Sequence, residues 1–131
     1  MARRILIIED EIPIKELYER VFTKHGWEVV GVTTGQEAFE KAGNTQFEII
    51  LLDIMLPEKS GIDVLKEIRV PNSPWRATPV FMLTNLGQDS IIKQAFKIGA
   101  DGYLLKAQLL PEQIISEVEN FLKSKKPSKI S

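Results

Sequence analysis

The sequence predicts an α/β domain: a parallel sheet covered by helices on both faces. Three observations carry this. Three short runs, at 5–8, 49–52 and 80–83, are apolar throughout rather than alternating, as in strands buried on both sides, and two further short runs, at 28–32 and 102–105, are largely apolar. Between them, apolar residues recur at the three, four and seven spacing of a helix face. The connections are short, so right-handed crossovers return each strand to one sheet.

Ile5-Leu6-Ile7-Ile8 is the first strand, and Ile14, Leu17, Tyr18, Val21 and Phe22 form the inner face of the helix after it. Lys24-His25-Gly26 closes that helix, with cations in the last turn and then a glycine suited to the left-handed cap. His25 reads as a helix-end residue, and Tyr18 and Trp27 as packing. Glu28–Val32 is the second strand, and Thr34-Gly35-Gln36-Glu37 is a capping box opening a short helix. Phe47 to Asp53 is a strongly apolar third strand.

Gly61–Arg69 carries Ile62, Leu65 and Ile68 at helical spacing. Val70–Pro79 is a connection with three prolines and Trp75, which either covers the third helix or meets a partner. Val80-Phe81-Met82-Leu83 is the fourth strand. Ile91, Ile92, Ala95 and Phe96 mark a helix ended by Gly99. Asp101 reads as a turn residue before the fifth strand, Gly102–Leu105. Pro111 starts the last helix, whose face is Ile114, Ile115, Val118, Phe121 and Leu122.

Composition narrows the function. The 131 residues, 44% hydrophobic and 27% charged, suit one ordinary globular domain. With no cysteine there is no disulfide framework, thiolate metal site or cysteine nucleophile. No apolar run approaches the roughly 18 residues of a membrane span. Residues 1–122 hold thirteen basic and eighteen acidic side chains, a net −5, against four lysines and no acid in 123–131. An acidic body carries no electrostatic footprint for nucleic acid. The expected organisation is a domain over 3–122 and a basic flexible tail, or the start of a linker, over 123–131.

In open α/β sheets ligands sit beyond the carboxyl ends of the strands. There the sequence places Glu9, Asp10 and Glu11 after strand one, Asp53 at the end of strand three, Thr84 and Asn85 after strand four, and Lys106 after strand five. Carboxylates brought together from separate strands repel unless a cation intervenes. A hard divalent ion with oxygen ligands, Mg2+, suits one or two of them plus waters. The lysine and hydroxyl would suit the remaining oxygens of a phosphoryl group.

Four motifs in order then carry a resemblance: Ile7-Ile8-Glu9-Asp10-Glu11; Leu51-Leu52-Asp53-Ile54-Met55-Leu56-Pro57 with Gly61; Thr84; and Gly99-Ala100-Asp101-Gly102-Tyr103-Leu104-Leu105-Lys106. Over residues 3 to 122 the chain resembles the receiver domain of two-component response regulators. The resemblance implies a doubly wound, flavodoxin-like five-stranded sheet of order 2-1-3-4-5. It implies that Asp53 accepts a phosphoryl group from a histidine kinase phosphohistidine. Glu9, Asp10, Asp53 and the main-chain carbonyl of Met55 would hold Mg2+. Lys106 would pair with the acceptor and then the phosphoryl oxygen. Thr84 would be the switch hydroxyl, and Tyr103 the aromatic that turns inward behind it.

On this reading the protein is a signalling switch rather than an enzyme, and cytoplasmic. Its partners are a sensor histidine kinase or phosphotransfer protein and a downstream protein target. The readout face, and the surface for a phosphorylation-dependent homodimer, is the fourth helix, fifth strand and fifth helix.

Two positions depart from the family pattern. Ala107 stands where a proline, often cis, usually follows the lysine; a cis bond before a non-proline residue costs about 2.5–4 kcal/mol, so a trans bond or strain is expected. Asn85 is larger than the usual residue after the switch hydroxyl. Met55 and Leu86 are both apolar and are expected to shield an acyl phosphate from water. One alternative is a degenerate receiver that binds proteins without phosphate. An aspartate-nucleophile phosphohydrolase is disfavoured, because the residue two after Asp53 is Met55 and not a second aspartate. A nucleotide or flavin binder is disfavoured because three acids follow strand one where a phosphate loop would lie.

Overall fold

The computed structural model describes residues 3–85, 89–106 and 110–128, with side chains to 124. Strands and helices alternate: β1 Arg4–Ile8, α1 Ile12–Lys24, β2 Glu28–Val32, α2 Gly35–Ala42, β3 Ile49–Asp53, α3 Gly61–Ile68, β4 Val80–Thr84, α4 Asp89–Ile98, β5 Gly102–Leu105 and α5 Pro111–Ser128. All strand pairs are parallel, in the order β2-β1-β3-β4-β5. This is the parallel sheet that the apolar runs predict, in the doubly wound order that the resemblance implies.

Alternation within each run sorts the core into two layers. Leu6, Ile8, Ile50, Leu52, Val80 and Met82 face α2, α3 and α4, where they meet Ala38, Val64, Leu65 and Ala95. Ile5, Ile7, Ile49, Leu51, Phe81, Leu83 and Leu104 face α1 and α5, where they meet Tyr18, Phe22, Ile114 and Val118. Every residue of β3 and β4 is buried, as a central strand covered on both faces requires.

Helix ends follow local chemistry with one change. Thr34 Oγ1 accepts the Glu37 N–H at 3.0 Å, the first half of the capping box. The return bond goes one residue further back: the Glu37 carboxylate takes the Thr33 N–H at 2.8 Å and the Thr33 hydroxyl at 3.1 Å. Lys41 and these donors hold the Glu37 carboxyl down at about 2. Gly26, past the end of α1, adopts φ 90°, the left-handed turn expected of it.

Other differences have equally local causes. β3 begins at Ile49, not Phe47, because Phe47 turns under Trp75 with ring centroids 5.9 Å apart. Trp75 itself is fully buried, stacked on Phe39 at 4.8 Å, with its indole N–H donated to the Thr45 carbonyl at 2.8 Å. It is a core residue of the α2 layer, not a contact for a partner. Asp101 does more than turn the chain: its Oδ2 accepts the Val80 N–H at 2.9 Å and the Arg69 guanidinium at 3.1 Å. Helix α5 runs to Ser128, past the end of its apolar face at Leu122. Leu86 and Ala107, singled out in the sequence, lie outside the described residues, as do 129–131. Among the described residues no helix is long and apolar enough to cross a membrane.

Candidate functional site

Register places the site. Ile8 pairs with Leu52, which sets Glu9 abreast of Asp53. Asp53 pairs with Leu83, and Thr84 with Leu105, so Thr84 and Lys106 follow at the same rim. The loop leaving β3 folds back over Asp53 because Gly61 leaves room for it. A Cβ on Gly61 would stand 2.2 Å from the Asp53 carbonyl oxygen, and its N–H donates to the Ile54 carbonyl at 2.7 Å.

Asp53 is buried, only 3% exposed. Its Oδ1 accepts the Met55 N–H at 3.0 Å, and its Oδ2 accepts from the Lys106 ammonium at 3.2 Å. Glu9 is wholly buried: Oε2 takes the Glu11 N–H at 3.0 Å, while Oε1 faces the Lys106 ammonium at 2.9 Å without hydrogen-bonding alignment. Glu11 Oε1 is 3.2 Å from the same ammonium. One carboxylate oxygen each of Glu9, Asp10 and Asp53 lies within 4.8 Å of the others.

The electrostatics follow from this crowding. Burial, then the adjacent Glu9 carboxylate, push the Asp53 carboxyl up to about 6. Asp10 is raised as well, by burial and by its contact with Asp53. Burial pulls the Lys106 ammonium down, but Glu9 and Asp53 more than offset this and hold it above the ordinary lysine range. Tyr18, under the same rim, is pushed up to about 12, chiefly by burial. One ammonium among four carboxylates leaves the cleft short of positive charge.

That chemistry fits a hard divalent cation. Glu9, Asp10 and Asp53 supply oxygen ligands from two strand ends, and Asp10 and Asp53 are raised first by burial and then by their acidic neighbours, a charge cost that a cation would offset. Thr84 is buried, and its hydroxyl donates to the Asn85 carbonyl at 3.1 Å. Tyr103 is 45% exposed on β5 and meets Phe96 of α4 edge-on at 6.3 Å. Met55 lies exposed at the mouth of the cleft.

The structure thus brings together Glu9, Asp10, Asp53 and Lys106 and places Thr84 at the end of the adjoining strand, while Tyr103 is half exposed against Phe96. The contact of Glu11 with Lys106 was not readable from spacing, because a flexible side chain crosses from α1 to β5.

Fold and cleft together define a class: a doubly wound α/β domain with an acidic cleft and one lysine at the carboxyl edge of its sheet. A family model for the response regulator receiver domain matches residues 5–119, and the chain belongs to that family. Receiver domains are signalling domains of two-component systems and work with histidine kinases and downstream effectors. The chain is 34% identical over 123 residues to the transcriptional regulatory protein SrrA of Staphylococcus aureus, an alignment covering 94% of this chain and 49% of SrrA. It therefore spans about half the length of that curated relative. Among solved structures it superposes on chemotaxis protein CheY4 of Vibrio cholerae with a TM-score of 0.84 and 26% identity, covering 92% of this chain and 98% of that one. It also superposes on DrrB, an OmpR/PhoB homolog of Thermotoga maritima, with a TM-score of 0.80 and 27% identity, covering 95% of this chain and 54% of DrrB.

Proposed function

We propose that this domain is a phosphorylation-controlled switch with Asp53 as its phosphoryl acceptor. The observation that carries the reading is the setting of that carboxylate: buried, with Oδ1 fixed by the Met55 N–H, Oδ2 by Lys106, and Glu9 and Asp10 within reach of one shared cation. In the reaction an Asp53 oxygen attacks the phosphorus of a phosphohistidine on a sensor kinase or phosphotransfer protein. A P–O bond forms, the P–N bond breaks, and the imidazole leaves with the bonding pair and takes up a proton.

Glu9, Asp10, Asp53 and the Met55 carbonyl would hold Mg2+, which when bound offsets negative charge on the phosphoryl oxygens. Lys106 then orients the acceptor and meets the phosphoryl oxygen that comes to lie beside it. The Thr84 hydroxyl exchanges its Asn85 carbonyl for the phosphoryl group, and Tyr103 turns inward behind it. The added charge, about −1.5 to −2, acts on this local two-state element. The readout face is α4, β5 and α5, where Phe96 and Tyr103 are exposed, and a homodimer on phosphorylation would use the same face. Residues 3–122 are the switch, and 123–131 a basic tail or the start of a linker, although 123–128 continue α5 as helix.

The test is incubation with a small phosphodonor and Mg2+, read by intact mass. We expect an adduct on wild type and none on Asp53→Asn. No magnesium-dependent adduct on wild type would overturn the reading in favour of a receiver that works without phosphate.

A further inference from the structure

Four carboxylates surround the cleft, and they fall into two overlapping sets, one around a candidate metal position and one around an ammonium. Glu9, Asp10 and Asp53 converge on the side that suits a metal ion. Glu9, Glu11 and Asp53 converge on the Lys106 ammonium, at 2.9, 3.2 and 3.2 Å. Glu9 and Asp53 are common to both sets; Asp10 belongs to the first alone and Glu11 to the second alone.

Glu11 is placed for this by two local features. It occupies the N-cap position of α1, where a side-chain oxygen ordinarily accepts an N–H of the first turn, yet its carboxylate makes no capping bond. Its own N–H is tied to Glu9 Oε2 at 3.0 Å, which fixes its backbone beside the buried acid. The carboxylate is left to reach across the rim to β5. An ammonium has three donors and no preferred plane, so it is aimed only by the acceptors around it. Here the aligned hydrogen bonds run to Glu11 Oε1 and Asp53 Oδ2, because Glu9 Oε1 lacks the alignment.

We propose that Glu11 is a positioning residue, which tethers the Lys106 ammonium from the solvent side and so aims it at Asp53. This rests on the reading of Asp53 as phosphoryl acceptor. Glu11 touches neither the acceptor nor the incoming phosphorus and acts through Lys106. Losing the tether removes one of the two aligned acceptors that fix the ammonium, so fewer molecules hold it beside the acceptor at the moment of transfer.

A double-mutant cycle tests this. The rate of adduct formation from a small phosphodonor with Mg2+ is measured against donor concentration for wild type, Glu11→Gln, Lys106→Met and the double variant. Glu11→Gln should lower the rate at saturating donor by about two- to fivefold, the range of a partly exposed charge pair. In the Lys106→Met background the same substitution should change that rate by less than about 1.5-fold, because the group it acts through is gone. Removing a negative charge also eases the approach of an anionic donor, which would appear in the half-saturating concentration and not in the saturated rate. A second readout needs no phosphorylation: in metal-free protein, the 15N-detected ammonium signal of Lys106 should broaden in Glu11→Gln. An adduct on wild type with equal saturated rates in wild type and Glu11→Gln, or an equal fall in both backgrounds, would overturn the positioning role alone. No adduct on wild type would overturn the reading of the site, and this role with it.

Discussion

Asp53 Oδ2 and Lys106 Nζ stand 3.2 Å apart across β4, joining the ends of β3 and β5. Both side chains are almost wholly buried, so this pair is not a surface contact to be screened away. The attraction does not settle the site, because Glu9 competes for the same ammonium and stands against the same carboxylate. The cleft holds Asp53 in tension, and that tension can be measured as stability.

Burial, and then Glu9, push the Asp53 carboxyl from 3.8 up to about 6 in the absence of metal. The folded state therefore binds this proton more tightly than the unfolded chain does. Its contribution to stability is complete below about pH 4 and lost as pH rises through 6. Asp53→Asn cannot ionise and avoids that loss. The variant should be more stable than wild type at pH 7.5 by about 1–3 kcal/mol, with the gap closing at pH 4. Urea melts at both pH values check this; a gap equal at the two would refute the assignment.

Adding Mg2+ should relieve the same tension. The expected result is a rise in wild-type Tm that EDTA reverses, equivalent to about 2.7 kcal/mol at a metal concentration a hundredfold above Kd. Asp10→Asn and Asp53→Asn each delete a ligand and should shrink the rise. Thermal melts with and without metal read it directly, and an undiminished rise in both variants would place the ion elsewhere.

Much of this was legible because strand ends carry the chemistry. The run Ile49-Ile50-Leu51-Leu52 stops at a charged residue, and a parallel sheet brings such stops to one rim, so Glu9, Asp53, Thr84 and Lys106 could be gathered from the sequence alone. What stayed hidden depends on side chains that cross between elements. Trp75 sits in a proline-rich connection with no periodicity, and its burial comes from Phe39, 36 positions away in the chain. Asp101 reads as a turn residue because its two donors, Val80 and Arg69, belong to other elements. The reach of Glu11 to Lys106 likewise requires α1 and β5 to be placed first.

Arg69 ties down the rim opposite the cleft. Its Nε and Nη2 donate to the Gly99 carbonyl at 3.1 and 2.9 Å, its Nη1 to the carbonyls of Trp75 and Arg76 at 3.1 and 3.2 Å, and its Nη2 to Asp101. Those groups lie in the segments leading into β4 and β5, so one planar fork fixes where each of these strands begins. Arg69→Ala should cost about 2–4 kcal/mol, since partly buried carbonyls and Asp101 lose their donor. Arg69→Lys should recover little of it, because an ammonium cannot span the fork. Urea denaturation measures both variants; a loss below about 0.5 kcal/mol in the alanine variant would show that water replaces the guanidinium freely.

Met55 bears on how long the phosphorylated state lasts. Its backbone N–H is bound to Asp53 Oδ1, so its side chain is anchored two residues from the acceptor, where it lies exposed at the mouth of the cleft. Loss of the phosphoryl group requires a water to attack phosphorus as the bond to the Asp53 oxygen breaks. A thioether offers that water no donor and only a weak acceptor, whereas an amide offers both. Met55→Asn should therefore speed self-dephosphorylation by about fivefold, the rate equivalent of one hydrogen bond worth about 1 kcal/mol. Met55→Leu, equally apolar, should leave the decay unchanged. Intact mass followed over time after donor removal measures all three proteins. Equal decay in wild type and Met55→Asn would mean that the attacking water takes a path this side chain does not border.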